Sequence, residues 1–227
     1  MPDFRERGFA VSGLTLSPDQ CDHIALSVPL VAPGRGGVRG LIEHPTVLQL
    51  LRHRQFGEYL WSVVGRELVA VRALLFDKTA GSSWRATWHQ DRKIAVRERM
   101  RVEGFTSWST KSGVVHVEPP VHVLEQMIAL RVHLDECGPD NGPLRVIPGS
   151  HELGKIAEED IERIVSAGEQ VELCVAKGAI VVMRPLLLHA SPPARVPGHR
   201  RVVHIELAPA EAISPLIWDQ AVRVRAA

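Results

Sequence analysis

The chain has 227 residues, 45% of them hydrophobic and 23% charged, a size and composition that fit one large β-sandwich or barrel domain better than two domains. Its 27 Lys and Arg nearly balance 26 Asp and Glu, for a net charge of +1, which excludes the basic surface of a nucleic-acid-wrapping protein and points to a small-molecule substrate. Cys21, Cys137 and Cys174 form no Cys-x-x-Cys pair, and no apolar run has the length of a signal sequence or membrane span; a cytoplasmic protein with no membrane partner is expected.

Ser17-Pro18-Asp19-Gln20 has the form of a capping box with proline at the first helical position, and Cys21, Ile24, Ala25 and Val28 follow at helical spacing. A helix is therefore expected from Pro18. Gly34 to Gly37 reads as a loop, and Pro45 opens a second helical region through Leu51, Tyr59 and Val63 that ends near Gly65. From Leu68 the pattern turns to strands, expected over 68–76, around Trp88 to Asp91 after a Gly81-Ser82-Ser83 loop, and over 127–134, 144–147, 171–174, 179–183 and 201–207. Gly138 to Pro143, Pro148-Gly149-Ser150 and Lys177-Gly178 supply the reversals. Glu158-Glu159-Asp160 gives a short helix an acidic start.

Helices before and short strands after predict a mainly β fold with flanking helices, a double-stranded β-helix or jelly roll of cupin-like form. One domain over 1–227 is expected, with a largely helical buttress at 1–66 and a β core at 67–208. Residues 92–120 are the least regular part. A long stretch of that kind inside a compact domain reads as a lid-like insertion.

The chemistry concentrates in Trp88-His89-Gln90-Asp91, with His189 and Arg200 downstream. Alternate side chains of extended backbone leave one face together, so His89 and Asp91 project to one side while Gln90 points away. Two imidazoles and a carboxylate leave coordination positions open on an octahedral ion and suit Fe(II) that must also hold a co-substrate and oxygen. A closed structural zinc site would call for a fourth protein ligand, usually a thiolate.

Trp88 to Asp91, the run Leu134-Asp135 through Asn141-Gly142-Pro143-Leu144 to Pro148-Gly149-Ser150-His151, and His189-Ala190-Ser191 with Arg200-Arg201 resemble the phytanoyl-CoA dioxygenase family of Fe(II)- and 2-oxoglutarate-dependent oxygenases. The resemblance implies that His89, Asp91 and His189 bind iron and form the catalytic centre. Arg200, eleven positions after His189 (200 − 189 = 11), then holds the distal carboxylate of 2-oxoglutarate, and Ser191 assists it. O2 is the second co-substrate, and succinate and CO2 are released. Asp91 stands where a small residue would signal the halogenase variation of this fold. A guanidinium suits the carboxylate because it offers two parallel donors and stays charged. Arg201 faces the other side of its strand.

Further contacts are expected from residues whose bland reading is packing or solvation. Gln126 is a candidate for 2-oxoglutarate; Arg131 and His133, which share a strand face, line the cavity or face solvent. Lys111 and His116, in the lid-like region, could grip an anionic substrate, and Trp88 could wall the pocket. Two other functions fit the same residues: a jelly-roll binding or regulatory protein that retains metal without turnover, and a cupin-like hydrolase or isomerase using zinc or manganese.

Overall fold

The chain opens with a short helix, α1 (Pro2–Arg7), and a strand, β1 (Phe9–Thr15). Ser17 then caps α2 (Pro18–Ser27): its hydroxyl accepts from the Gln20 N–H at 3.2 Å and the Gln20 carboxamide oxygen accepts from the Ser17 N–H at 2.8 Å, satisfying two donors the helix leaves free. After β2 (Gly37–Arg39), the helical region at 45–64 is two helices, α3 (Pro45–Leu51) and α4 (Arg54–Val64). His53 is extended between them and serves as the N-cap of α4. Gly65, at φ 66°, closes α4 in the left-handed conformation glycine tolerates best. This computed structural model describes residues 2–32, 34–79, 84–196 and 198–224; the expected Gly81-Ser82-Ser83 loop lies outside them.

The rest is mostly strand: β3 (Val69–Lys78), β4 (Ala86–His89), β5 (Ile94–Val96), β6 (Thr106–Lys111) and β7 (Val114–Glu118). Helix α5 (Val121–Gln126) precedes β8 (Ile128–His133) and β9 (Leu144–Val146), and α6 (Glu158–Ala167) precedes β10 (Val171–Leu173). The chain finishes with β11 (Ala179–Met183), β12 (His189–Ser191), β13 (Arg200–Ala208) and β14 (Val222–Arg223). The large sheet runs β1-β11-β8-β13-β3-β14 with β2 also on β3, and a smaller one runs β10-β9-β12-β4. All pairings are antiparallel. Together these sheets make the expected jelly roll.

The expectation needs two corrections. The first strand is β1, well before Leu68: Phe9 to Val11 pair with Met183 to Val181 at the edge of the large sheet, a long-range partnership that local pattern does not reveal. The region 92–120 is irregular only in part, chiefly over 97–105. It holds the third sheet, β5-β7-β6, where Trp108 to Gly113, loop-like in composition, forms the turn and arms of a hairpin whose Ser107 and Ser112 sit at positive φ.

Strand alternation sorts the large sheet into two faces. Leu130, Val132, Val203, Ile205 and Leu207 face outward and pack with Ile24, Val47, Leu51, Phe56 and Leu60 of the helices into the main core. Ala129, Val181 and Met183 face inward against Leu144, Val146 and Leu187 of the smaller sheet. Arg131, His133, Arg200, His204 and Glu206 share that inward face and are buried there. No helix among the described residues is long and apolar enough to cross a membrane.

Leu130 is fully buried between sheet and helices whereas Leu26 is 87% exposed on α2. Leu130→Ala is expected to cost about 2–5 kcal/mol through lost contacts and a residual cavity, and Leu26→Ala less than about 0.5 kcal/mol. Urea unfolding of the two variants beside the parent chain measures both.

Candidate metal centre

Two imidazoles meet because β12 pairs with β4 in a register that sets His189 opposite His89. Their ring centroids are 4.3 Å apart. Asp91 follows just beyond β4, where its N–H donates to the Pro185 carbonyl at 2.9 Å. One ligand atom from each of His89, Asp91 and His189 lies within 4.8 Å of the others. That is the span of donors around a single ion.

The rings are oriented from behind. His89 Nδ1 lies 2.6 Å from the Thr87 carbonyl, and His189 Nδ1 lies 2.8 Å from the Leu187 carbonyl. A carbonyl can only accept, so each Nδ1 carries the hydrogen and each Nε2 presents a lone pair. Those Nε2 atoms stand 3.9 and 3.7 Å from the two oxygens of Asp91. Burial opposes ionisation of Asp91, but His189, His204, His89 and Arg72 outweigh it and hold the carboxyl below its usual range. Burial pushes His189 the other way, below the ordinary imidazole value, against the pull of Asp91. Neutral imidazoles with an ionised carboxylate are the forms a divalent cation binds.

Gln90 does turn away, and it has a task. Its amide donates to the Gly154 and Leu186 carbonyls at 2.8 and 2.7 Å, and its oxygen accepts from the Ile156 N–H at 2.9 Å. The residue between the two ligands thus pins their strand to two neighbouring segments.

Arg200, the first residue of β13, is 1% exposed on the inward face. Its Nη2 donates to the Ser191 hydroxyl at 3.4 Å, while Nε and Nη1 have no partner among the described residues. Such orphaned donors are rare in a buried guanidinium unless a ligand takes them up. The Ser191 hydroxyl itself donates to the Gly142 carbonyl at 3.0 Å. Arg201 turns outward and forms a two-pronged pair with Asp135, at 2.8 and 2.6 Å. The neighbouring arginines divide as strand alternation requires.

A cavity of about 1060 Å³ opens over the centre, lined in part by Trp88, Lys111, His116, Arg39 and Ile161. Arg131 and His133 are buried on the inward face and do not face solvent. Gln126 is not at the site: it ends α5, not a strand, accepts from Arg66 at 3.2 Å and donates to the His122 carbonyl at 3.0 Å. Helix geometry, not strand alternation, decides where it points. His151, whose Nε2 is 3.0 Å from the Arg5 carbonyl, lies apart from the three ligands.

Four buried groups were not assigned to the site from the sequence, Lys78 and His204 being too unspecific there to single out. Lys78 is completely buried, as are His204 at 2% and Glu206 at 4% exposure; Arg72 pairs with Glu206 across β3 and β13. Counting by twos from Arg200 reaches His204 and Glu206, so a signal existed for those two. Lys78 and Arg72 needed the register of β3 against β13.

A family model for phytanoyl-CoA dioxygenase matches residues 35–202. Among solved structures the chain is similar to AviO1 from Streptomyces viridochromogenes Tue57, at 22% identity and TM-score 0.65 over 92% of each chain. It is also similar to EctD from S. alaskensis, solved with 2-oxoglutarate and 5-hydroxyectoine, at 17% identity and TM-score 0.71 over 100% of this chain and 83% of that one. A non-heme alpha ketoglutarate dependent carbocyclase, SnoK from nogalamycin biosynthesis, aligns at 14% identity and TM-score 0.66 over 92% of this chain and 82% of that one. These likenesses show the fold. No curated protein matches the chain.

His133 has no partner for Nδ1 among the described residues, and burial, then Arg131 and Arg200, hold its pKa down at about 3. Its folded value is therefore below the unfolded one of about 6.5, so the unfolded chain takes up this proton first. The stability it contributes is complete above about pH 6.5 and is lost as pH falls toward 3. Between pH 6.5 and 5, chelator-treated parent protein should lose about 2 kcal/mol more than His133→Asn, at about 1.36 kcal/mol per pH unit. Urea midpoints at the two pH values provide the comparison.

Proposed function

Because the chain belongs to the phytanoyl-CoA dioxygenase family, we propose that it is an Fe(II)- and 2-oxoglutarate-dependent dioxygenase that hydroxylates a small organic molecule. The observation that carries this reading is the convergence of His89, Asp91 and His189, with both Nε2 atoms turned toward one carboxylate. These three residues would hold Fe(II). Arg200, with Ser191 beside it, would receive the distal carboxylate of the keto acid through its unpartnered donors.

When bound, the iron with 2-oxoglutarate and O2 supplies an oxidation coupled to release of succinate and CO2. The chain's own residues position and shield. Backbone carbonyls of Thr87 and Leu187 fix the two imidazoles, Gln90 locks the ligand strand, and Arg200 sets the angle of the keto acid. Trp88, Lys111 and His116 line the space left for substrate. Burial, then Arg72, Lys111 and Arg39, depress the pKa of His116, and the same cavity carries Glu118, Glu158 and Glu162, so its wall is of mixed charge and suits a polar substrate.

A binding protein that merely retains metal, or a zinc or manganese hydrolase, would have no use for a buried guanidinium with open donors. That feature favours the dioxygenase over both. Succinate formed from 2-oxoglutarate under oxygen, measured across a panel of small organic acids, tests the reading. His189→Ala should lower the rate by more than the roughly 10- to 100-fold that loss of an outer partner costs a metal site. Equal rates for the variant and the parent would refute it. Metal analysis of anaerobically prepared protein should find iron bound, and Asp91→Ala should lose it.

A further inference from the structure

The third sheet has two unlike faces. Ile94 and Val96 of β5 and Val117 of β7 bury one of them in an apolar cluster with Met127, Leu186 and Trp218. Alternation gives the other face Ser109 and Lys111 of β6 and His116 and Glu118 of β7, and the register sets His116 between Ala95 and Ser109. Lys111, His116 and Glu118 line the cavity over the metal centre, as does Lys93 just ahead of β5.

His116 is the buried member of this face, at 6% exposure. Its Nδ1 lies 3.0 Å from the Val114 carbonyl and so carries the hydrogen, which leaves a lone pair on Nε2. No donor meets that Nε2 among the described residues. Burial, with Arg72, Lys111 and Arg39 behind it, lowers the pKa of His116 against the pull of the Val114 bond, so the ring stays neutral and Nε2 stays an acceptor at neutral pH. An acceptor of this kind on a cavity wall is a place for a ligand's donor.

Charge is mixed over the cavity as a whole but not around His116. Arg72 is matched by Glu206, and Glu118 by Lys155 at 3.0 Å and Arg92 at 3.8 Å. Lys93 donates to the Ser107 carbonyl at 2.8 Å and the Ser109 hydroxyl at 3.2 Å, both neutral groups. No carboxylate pairs with Lys93, Lys111 or Arg39 among the described residues. Glu158 and Glu162 belong to α6, which packs through Ile161, Ile164 and Val165 against Trp88 and Ile147, and neither is among the charges that act on His116. The surroundings of Nε2 are therefore positive. A cationic donor approaching it would be repelled, whereas a neutral hydroxyl would not, and an anionic group beside that hydroxyl would be attracted.

We propose that the third sheet selects a hydroxy acid, whose hydroxyl donates to His116 Nε2 while its carboxylate lies against Lys111 and Arg39. This inference rests on the dioxygenase reading of the same cavity. A methyl ether in place of the hydroxyl leaves Nε2 desolvated without a donor, and an amino group in its place brings a second positive charge to Lys93 and Lys111.

Anaerobic calorimetry on the full chain loaded with Fe(II) and 2-oxoglutarate tests this. The probes are aliphatic and aromatic hydroxy acids, 3-hydroxybutyrate and mandelate among them, each beside its methyl ether, its amino counterpart and the acid lacking the hydroxyl. At least one hydroxy acid should bind roughly 10- to 100-fold tighter than each of its counterparts. His116→Leu should bring that acid and its ether within about threefold of each other and leave the affinity for 2-oxoglutarate unchanged. Lys111→Met should weaken both by the same factor. A panel in which no hydroxy acid is preferred overturns the proposal, and so does a preference that survives in His116→Leu. The comparison on the parent protein stands even where the leucine variant fails to fold. Should the parent protein not bind 2-oxoglutarate at all, the dioxygenase reading falls, and the proposal with it.

Discussion

The register of β12 against β4 is the constraint on which the site depends. It sets His189 directly opposite His89, and a two-residue slip along an antiparallel ladder would part their Cβ atoms by about 7 Å, roughly two residues of strand rise. The register is held from several sides. β12 also pairs with β9 through His189–Val146 and Ala190–Arg145, the Leu188 N–H donates to the Ser150 hydroxyl at 2.8 Å, and the Asp91 N–H reaches Pro185. Each anchor belongs to a different segment, so no single local motion frees the histidines.

The interior that surrounds this pair is costly. Arg131, His133, Arg200, His204 and Glu206 occupy the inward face of the large sheet, positions that a merely stable protein would fill with valine and leucine. Several of their polar atoms have no partner among the described residues, and each such atom carries a desolvation penalty of about 1–3 kcal/mol. The outward face of the same strands offsets that penalty, where Leu130, Val132, Val203, Ile205 and Leu207 are buried against the helices. Stability and function therefore occupy opposite faces of one sheet. A helical layer over the outer face is what permits a charged inner one.

Legibility in the sequence follows the range of the interactions. His89 and Asp91 could be read because two residues of extended chain place them together, and α2 because its capping box closes within four residues. Leu130 and Arg131 sort to opposite faces by the same alternation. Lys78 could not be read: its meaning comes from pairing with Arg200, 122 residues away (200 − 78 = 122). β1 was hidden for the same reason, since Phe9–Thr15 is an edge strand defined by β11. The hairpin at 106–118 was obscured by polar composition, its strands being half exposed, so the apolar alternation of a buried strand is weak there. Gln126 failed because it ends a short helix, α5, just ahead of the strand expected from 127.

That distribution also separates what the site must keep from what it can vary. The His89–Asp91–His189 cluster and the buried cations of the inward face lie on or directly beside the two central sheets, where backbone ladders fix their positions. The cavity over that cluster draws its walls from elsewhere: Lys111 and His116 from the small third sheet, Ile161 and Glu162 from α6, Arg39 from the edge strand β2. None of these elements supplies a metal ligand. Substitutions on them change the shape and charge of the cavity while leaving the His89–His189 register intact, which is the physical condition for one centre to serve different substrates. Gln90 marks the joint between the two parts. It lies between the ligands, yet its hydrogen bonds run to Gly154 and Ile156 on the approach to α6. A shift of that wall is thus transmitted to the strand that carries His89 and Asp91, and the wall has freedom to vary only as far as those two bonds survive.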